Sequence, residues 1–206
     1  MTTSTDTATP STSSTSSPRQ PTELGTAPST DPGTAALVSA LRAQQARVTG
    51  ILDGLDDAAL RRPVLSSGWS CLGMVQHLTA MTTFWFGEVV HDRHPDGPVV
   101  DEADEFAVPA DRTVADVLAA YHRDVPAATT SVAGLPAATP PAWWPEGAWG
   151  GWRLTTLEAV LVHVLVETST HAGHLDAARE LLDGGVWDYA EGRVSVPTDL
   201  AAAVTT

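Results

Sequence analysis

From Thr34 the apolar residues Leu37, Leu41, Val48, Ile51, Leu52 and Leu55 keep three-and-four spacing, broken only at Gln44, which predicts a first amphipathic helix. Asp56 is placed to cap a short helical turn before Pro63, and Ser66, Ser67 and Gly68 read as a connecting loop. Ser70 then reads as the N-cap of a second helix running to about His91, with Met74, Leu78, Met81, Phe84, Trp85 and Val89 on its apolar face. Residues 92 to 112 are rich in Asp, Glu, Pro and Gly, too polar for a core element and too long for a tight turn, so they predict a long crossover loop. Thr113 opens a third helix bearing Val114, Val117, Leu118, Tyr121 and Val125, which Pro126 should end or kink. Residues 134 to 153 place four tryptophans among Pro and Gly, as in an irregular lid over a bundle end. Thr155 with Glu158 matches the capping-box pattern for a fourth helix that runs unbroken to Asp183, where Gly184 and Gly185 stop it. At about 1.5 Å per residue that helix is roughly 40 Å long.

Four long helices with no alternating strand pattern predict an all-α fold, a four-helix bundle with long crossover loops, in which metal sites are commonly built from facing helices. The expected organisation is a disordered Thr/Ser/Pro-rich tail over residues 1–32, the bundle over 33–190, and a flexible C-terminal tail over 191–206. A hydrophobic fraction of 43% suits one core. Eleven basic against twenty-five acidic residues give a formal charge of -14, which disfavours nucleic acid and anionic membrane as partners. With no apolar run of membrane-spanning length, no secretory signal and a single cysteine, Cys71, the expected location is cytoplasmic. Cys71 itself reads as a small buried residue, and Trp69, Phe84 and Trp85 as core anchors. Asp176 and Arg179, three apart, read as an ion pair near the end of the fourth helix. Homodimerisation through an exposed bundle face is compatible with the sequence.

The chemistry lies on the fourth helix, where His163, Glu167, His171 and His174 fall within about 80° of one another at about 100° per residue. The flanking Val160, Leu161, Val164, Leu165 and Val166 leave little of that helix free for solvent, so part of the stripe points inward. Burying a carboxylate and imidazoles uncompensated costs several kcal/mol, and a divalent cation satisfies them together. Glu167 and His171, four apart, stand one turn apart on one face, the spacing helical zinc sites use. A third ligand must come from another helix, and His77, in mid-helix among apolar residues, is the best placed. On pattern alone, His77 reads first as a core histidine and Glu167/His171 as a surface pair.

The segment Ser67-Gly68-Trp69-Ser70 leading into Val75-Gln76-His77-Leu78, then Phe84-Trp85-Phe86, then Glu167-Thr168-Ser169-Thr170-His171-Ala172-Gly173-His174-Leu175-Asp176, resembles the DinB-like superfamily. The similarity covers about residues 34 to 185 and is to the branch that includes mycothiol-dependent maleylpyruvate isomerases. The resemblance implies a DinB-like bundle with His77, Glu167 and His171 as ligands of a divalent metal, Zn2+ first, with Ni2+ or Fe2+ as alternatives. Many superfamily members carry His where this chain has Glu167. His163 and His174 then stand just outside the ligand set, hydrogen-bonded to a ligand or lining the pocket, and no catalytic side chain is assigned. The implied activity is a metal-dependent thiol transferase or isomerase joining a low-molecular-weight thiol such as mycothiol to a small electrophile. The isomerases of that branch carry a further C-terminal domain, whereas about twenty residues follow Gly185 here, which favours S-conjugation over isomerisation. Two other readings stay open: a metal-dependent hydrolase of a small amide or ester, and a non-catalytic, stress-associated metal-binding protein.

Overall fold

A computed structural model of the chain describes residues 31–94 and 105–196. Residues 1–30 and 197–206, which make up most of the two predicted tails, and 95–104 in the middle of the predicted crossover loop lie outside them. Residues 191–196, which the sequence places in the flexible C-terminal tail, lie inside and carry a short strand. The first helix, α1, spans Pro32–Gly50, two residues earlier than the apolar stripe suggests. Asp31 caps it, its carboxylate accepting the Gly33 N–H at 2.9 Å, and Pro32 occupies a first-turn position that needs no N–H. Its buried face is Thr34, Val38, Leu41, Gln45 and Val48. That face carries two polar residues, Thr34 and Gln45, and the longer one is accommodated by the helix opposite: its side-chain amide donates to Thr129 Oγ1 at 2.9 Å, while the Tyr121 hydroxyl donates to its backbone carbonyl at 2.9 Å. The short turn of helix α2, Asp57–Arg61, has the Asp56 cap that the sequence predicts.

Helix α3 spans Cys71–Thr83, with Ser70 Oγ accepting the Gly73 N–H at 3.1 Å. The continuation toward His91 changes character: Phe84–Val89 winds as a π-helical turn, burying Trp85, Phe86 and Val89 on the core side. The next helix, α4, spans Val114–Val132 and opens with a complete capping box, Thr113 with Asp116. Pro126 does not end α4 but lies inside it. Proline removes one helical hydrogen bond and crowds the preceding turn, but Pro126 faces solvent, while Val125, Thr129 and Val132 on the other side are buried and carry the helix on.

Helix α5 spans Leu157–Asp183, and its cap is Thr156, whose Oγ accepts the Ala159 N–H at 3.2 Å, not the predicted Thr155. Loop carbonyls take the next free donors, Leu157 N–H to Thr139 O at 2.7 Å and Glu158 N–H to Ala137 O at 3.0 Å. With the cap at Thr156 the third helical position is Ala159, so Glu158 has no capping-box duty. Gly184, at φ 77°, ends the helix in the left-handed region, as the sequence predicts. A two-stranded antiparallel hairpin follows, β1 Val186–Asp188 with β2 Arg193–Ser195, Trp187 opposite Val194. Strands of three residues are too short to show alternation in sequence. Trp187 packs so closely on Gly50 at the end of α1 that a Cβ there would lie 2.7 Å from its ring.

Among the described residues the fold is therefore mostly helical with one small sheet. Helix α1 packs on α5 and α4, and α3 on α4 and α5, so the four long helices enclose one apolar core. Trp85 belongs to that core, Trp69 and Phe84 pack at its margin, and Cys71 is buried, which pushes its thiol up to about 11. The predicted Asp176–Arg179 pair is replaced by two others. Asp176 accepts from Arg47 of α1 at 2.9 Å and from the Trp187 N–H at 3.0 Å, stapling α1, α5 and the hairpin together. Arg179, only 4% exposed, binds Asp183 one turn on at 2.8 Å and donates to the carbonyls of Ile51 and Asp53 at 2.7 and 2.8 Å. No helix among the described residues is long and apolar enough to cross a membrane.

Candidate metal centre

Helices α3 and α5 pack face to face, and their contact brings His77 to Glu167 and His171. One potential ligand atom from each lies within 4.8 Å of the other two. The His171 Nε2 stands 3.4 Å from Glu167 Oε2, and the His77 and His171 rings meet edge-on with centroids 5.0 Å apart. Both imidazoles are largely covered, with side-chain exposures of 12% for His77 and 16% for His171, while Glu167 at 38% marks the side open to solvent.

Electrostatics keeps His171 ready to coordinate. Burial lowers the pKa of His171, and the neighbouring His77 adds to that by like-charge repulsion, so the neutral ligand form is favoured. The Nδ1 of His77 is engaged by Glu105 Oε2 at 2.9 Å, and its Nε2 is buried without any hydrogen-bond partner. An orphaned buried nitrogen costs on the order of 1–3 kcal/mol unless something meets it. Two imidazoles and one carboxylate brought this close together make a donor set that suits a divalent cation of zinc type. The residues present therefore fit a metal ion.

The other two histidines of the stripe are separated from one another. His174 is exposed, its Nδ1 3.3 Å from the Nδ1 of His171 and its ring 6.1 Å from Trp69. His163 lies on the opposite side of Glu167, edge-on to Trp85 at 4.6 Å and beside Trp152 at 5.5 Å. Its pKa is lowered by that burial and partly restored by the Glu167 charge. Trp144 and Trp149 complete the cluster around Trp85, whereas Trp143 packs against Phe84 and His94. Trp149 and Trp152 remain about half exposed, at 45% and 44%.

Glu105 and Phe106 enter the site without having been singled out in the sequence. Phe106 stacks on His77 with centroids 4.5 Å apart. The signal that could have found them is the pair Phe106 and Val108, apolar residues that interrupt an acidic run and pack on the core.

Over residues 36–184 the sequence matches a family model described as MST: Mycothiol-S-transferase. The chain belongs to that family. The mycothiol-S-transferase family is a member of the DinB-like superfamily, in agreement with the motif resemblance. The matched span runs from within α1 to the glycine that ends α5, and so contains the whole triad. No curated protein and no solved structure matches the chain.

Proposed function

We propose that this member of the mycothiol-S-transferase family is a metal-dependent thiol S-transferase on a DinB-like four-helix bundle. His77, Glu167 and His171 would hold the metal, Zn2+ before Ni2+ or Fe2+, and a low-molecular-weight thiol such as mycothiol would be joined to a small electrophile. The observation that carries the reading is the buried, unpartnered Nε2 of His77 beside Glu167 and His171, within the family's matched span. When bound, a zinc ion with three protein ligands keeps a position open and lowers the pKa of a thiol or water placed there. The protein's own groups supply the rest. Covered imidazoles exclude water from one side of the site, and Glu167 leaves the other side accessible to small reactants. In the transfer the thiol sulfur forms a bond to the electrophilic carbon as the bond to the leaving group breaks. The leaving group departs with its electron pair, and the thiol proton passes to solvent, with the exposed His174 at the rim available to relay it.

Thiol consumption tests this directly, with metal-loaded protein, a small thiol and monochlorobimane as electrophile. Wild type should far exceed His171→Ala across several thiols. If the two proceed at the same rate, transfer is not the activity, and release of product from small ester or amide substrates becomes the next assay. Metal content gives the second arm. It should fall sharply in His77→Ala, Glu167→Ala and His171→Ala and less in His174→Ala, and equal retention in all four would remove the proposed site.

A further inference from the structure

We infer that Glu105 is a positioning residue for the metal centre, an inference that rests on the metal reading just given. Its carboxylate accepts the Nδ1–H of His77 and thereby fixes that ring as the tautomer whose bare Nε2 can coordinate. Exposed ion pairs of this kind usually contribute about 0–1 kcal/mol and hold no fixed geometry. This one differs in how its backbone is tied. The Gln76 amide, one residue before His77, donates to the carbonyls of Glu105 and Ala107 at 3.0 and 3.2 Å. Its own carbonyl accepts from Arg112 at 2.7 Å, closing the strap on its far side.

Two packing contacts complete the constraint. Phe106 stacks on the His77 ring, and its carbonyl lies so close to the first turn of α3 that only glycine fits at position 73. The strap over residues 105–112 is thus fastened to α3 at Gly73, Gln76 and His77 together. Anchors at three neighbouring helix positions serve little purpose for a solvated carboxylate, but they are what holding one imidazole in one orientation requires. A ligand histidine whose second nitrogen donates to a carboxylate is oriented, and its ligating nitrogen becomes more basic.

The test is metal affinity, measured on the full chain after metal removal. Zn2+ would be titrated against a chromogenic chelator in wild type, Glu105→Ala, Glu105→Gln and His77→Ala, with Co2+ absorption as a probe of ligand geometry. Loss of such a partner typically weakens metal binding by about 10–100-fold, which is the change expected for Glu105→Ala. Glu105→Gln keeps an acceptor of the same shape and should fall between that variant and wild type. The Co2+ bands should shift in both, while the metal-free proteins melt close to wild type. If Glu105→Ala unfolds, the isosteric Glu105→Gln carries the comparison. Wild-type affinity and an unchanged Co2+ spectrum in both variants would reduce Glu105 to a surface ion pair and leave the metal reading intact. No Zn2+ binding by wild type would instead remove the metal reading, and the role of Glu105 with it.

Discussion

Two glycines inside helices make opposite predictions for the same substitution. A Cβ at Gly73 would fall within the contact envelope of the Phe106 carbonyl oxygen and lie 3.1 Å from its carbonyl carbon. Carbon atoms in contact sit about 3.5–4.0 Å apart, so the strap must retreat by roughly 0.5–1 Å or α3 must shift. Backbone cannot yield by rotating a side chain, and overpacking of this kind costs typically about 1–3 kcal/mol. Gly173 is the control: it lies within α5, is exposed, and a Cβ there meets nothing within 4 Å. Alanine is favoured over glycine in a helix by about 0.8–1.0 kcal/mol, so Gly173→Ala should be stabilising. The propensity gain is common to the two substitutions, and the gap between them therefore isolates the overpacking, about 1–3 kcal/mol. Urea denaturation of both variants, with common m-values, measures that gap. In addition, Gly73→Ala should weaken Zn2+ binding, because the retreating strap takes Glu105 and Phe106 from His77. Equal stability of the two variants within about 0.5 kcal/mol would refute the argument that the strap is seated on α3.

Arg179→Met keeps most of the buried stem but strips the carbonyls of Ile51 and Asp53 of their donor, and should cost about 1–3 kcal/mol in a urea melt. Stability of the metal-free protein should also depend on pH, because His163 and His171 have pKa values below the ordinary imidazole value. The unfolded chain then takes up protons first, so stability present above about pH 6.5 is lost as pH falls toward the folded values, and His171→Gln should flatten that slope. Thr156→Ala should lower stability by about 1 kcal/mol and Thr155→Ala by much less, since only Thr156 caps α5. Thermal melts of the pair decide between the two adjacent threonines.

What was legible in the sequence was mainly what single helices dictate. The existence of α1, the caps at Asp56, Ser70 and Thr113, and the stop at Gly184 follow from local pattern and recur in the structure, although α1 ends at Gly50 and the predicted Ile51, Leu52 and Leu55 fall beyond it. The meeting of His77 with Glu167 and His171 was implied by the superfamily resemblance, since pattern alone left His77 open as a core histidine, and the structure brings the three side chains together. The misreadings share a cause, namely partners chosen by tertiary packing. Asp176 and Arg179 have suitable spacing for each other, yet each finds a better partner elsewhere, in Arg47 and in Asp183 with two carbonyls. Thr155 and Thr156 are the same residue type side by side, and the loop carbonyls that meet α5 select the second. Glu105 sat in a stretch whose polarity read only as a loop, and apart from the neighbouring Phe106 and Val108 nothing local marks it as the partner of His77.

The π-helical turn at Phe84–Val89 holds one residue more than an α-helical path would need. Beyond it the carbonyls of Val89 and Val90 accept the N–H groups of Trp143 and Ala142 at 3.1 and 3.3 Å, so the long tryptophan-bearing connection is moored to this turn. In a deletion scan, removing a single residue here would let the helix close as ordinary α, at the cost of turning everything after it by about 100°. The moorings would swing away while His77, upstream, stayed in place. Chain length in this one turn thus acts as a phase setting between two halves of the molecule: shifting it by one uncouples the indole cluster from the imidazole site without altering a residue of either.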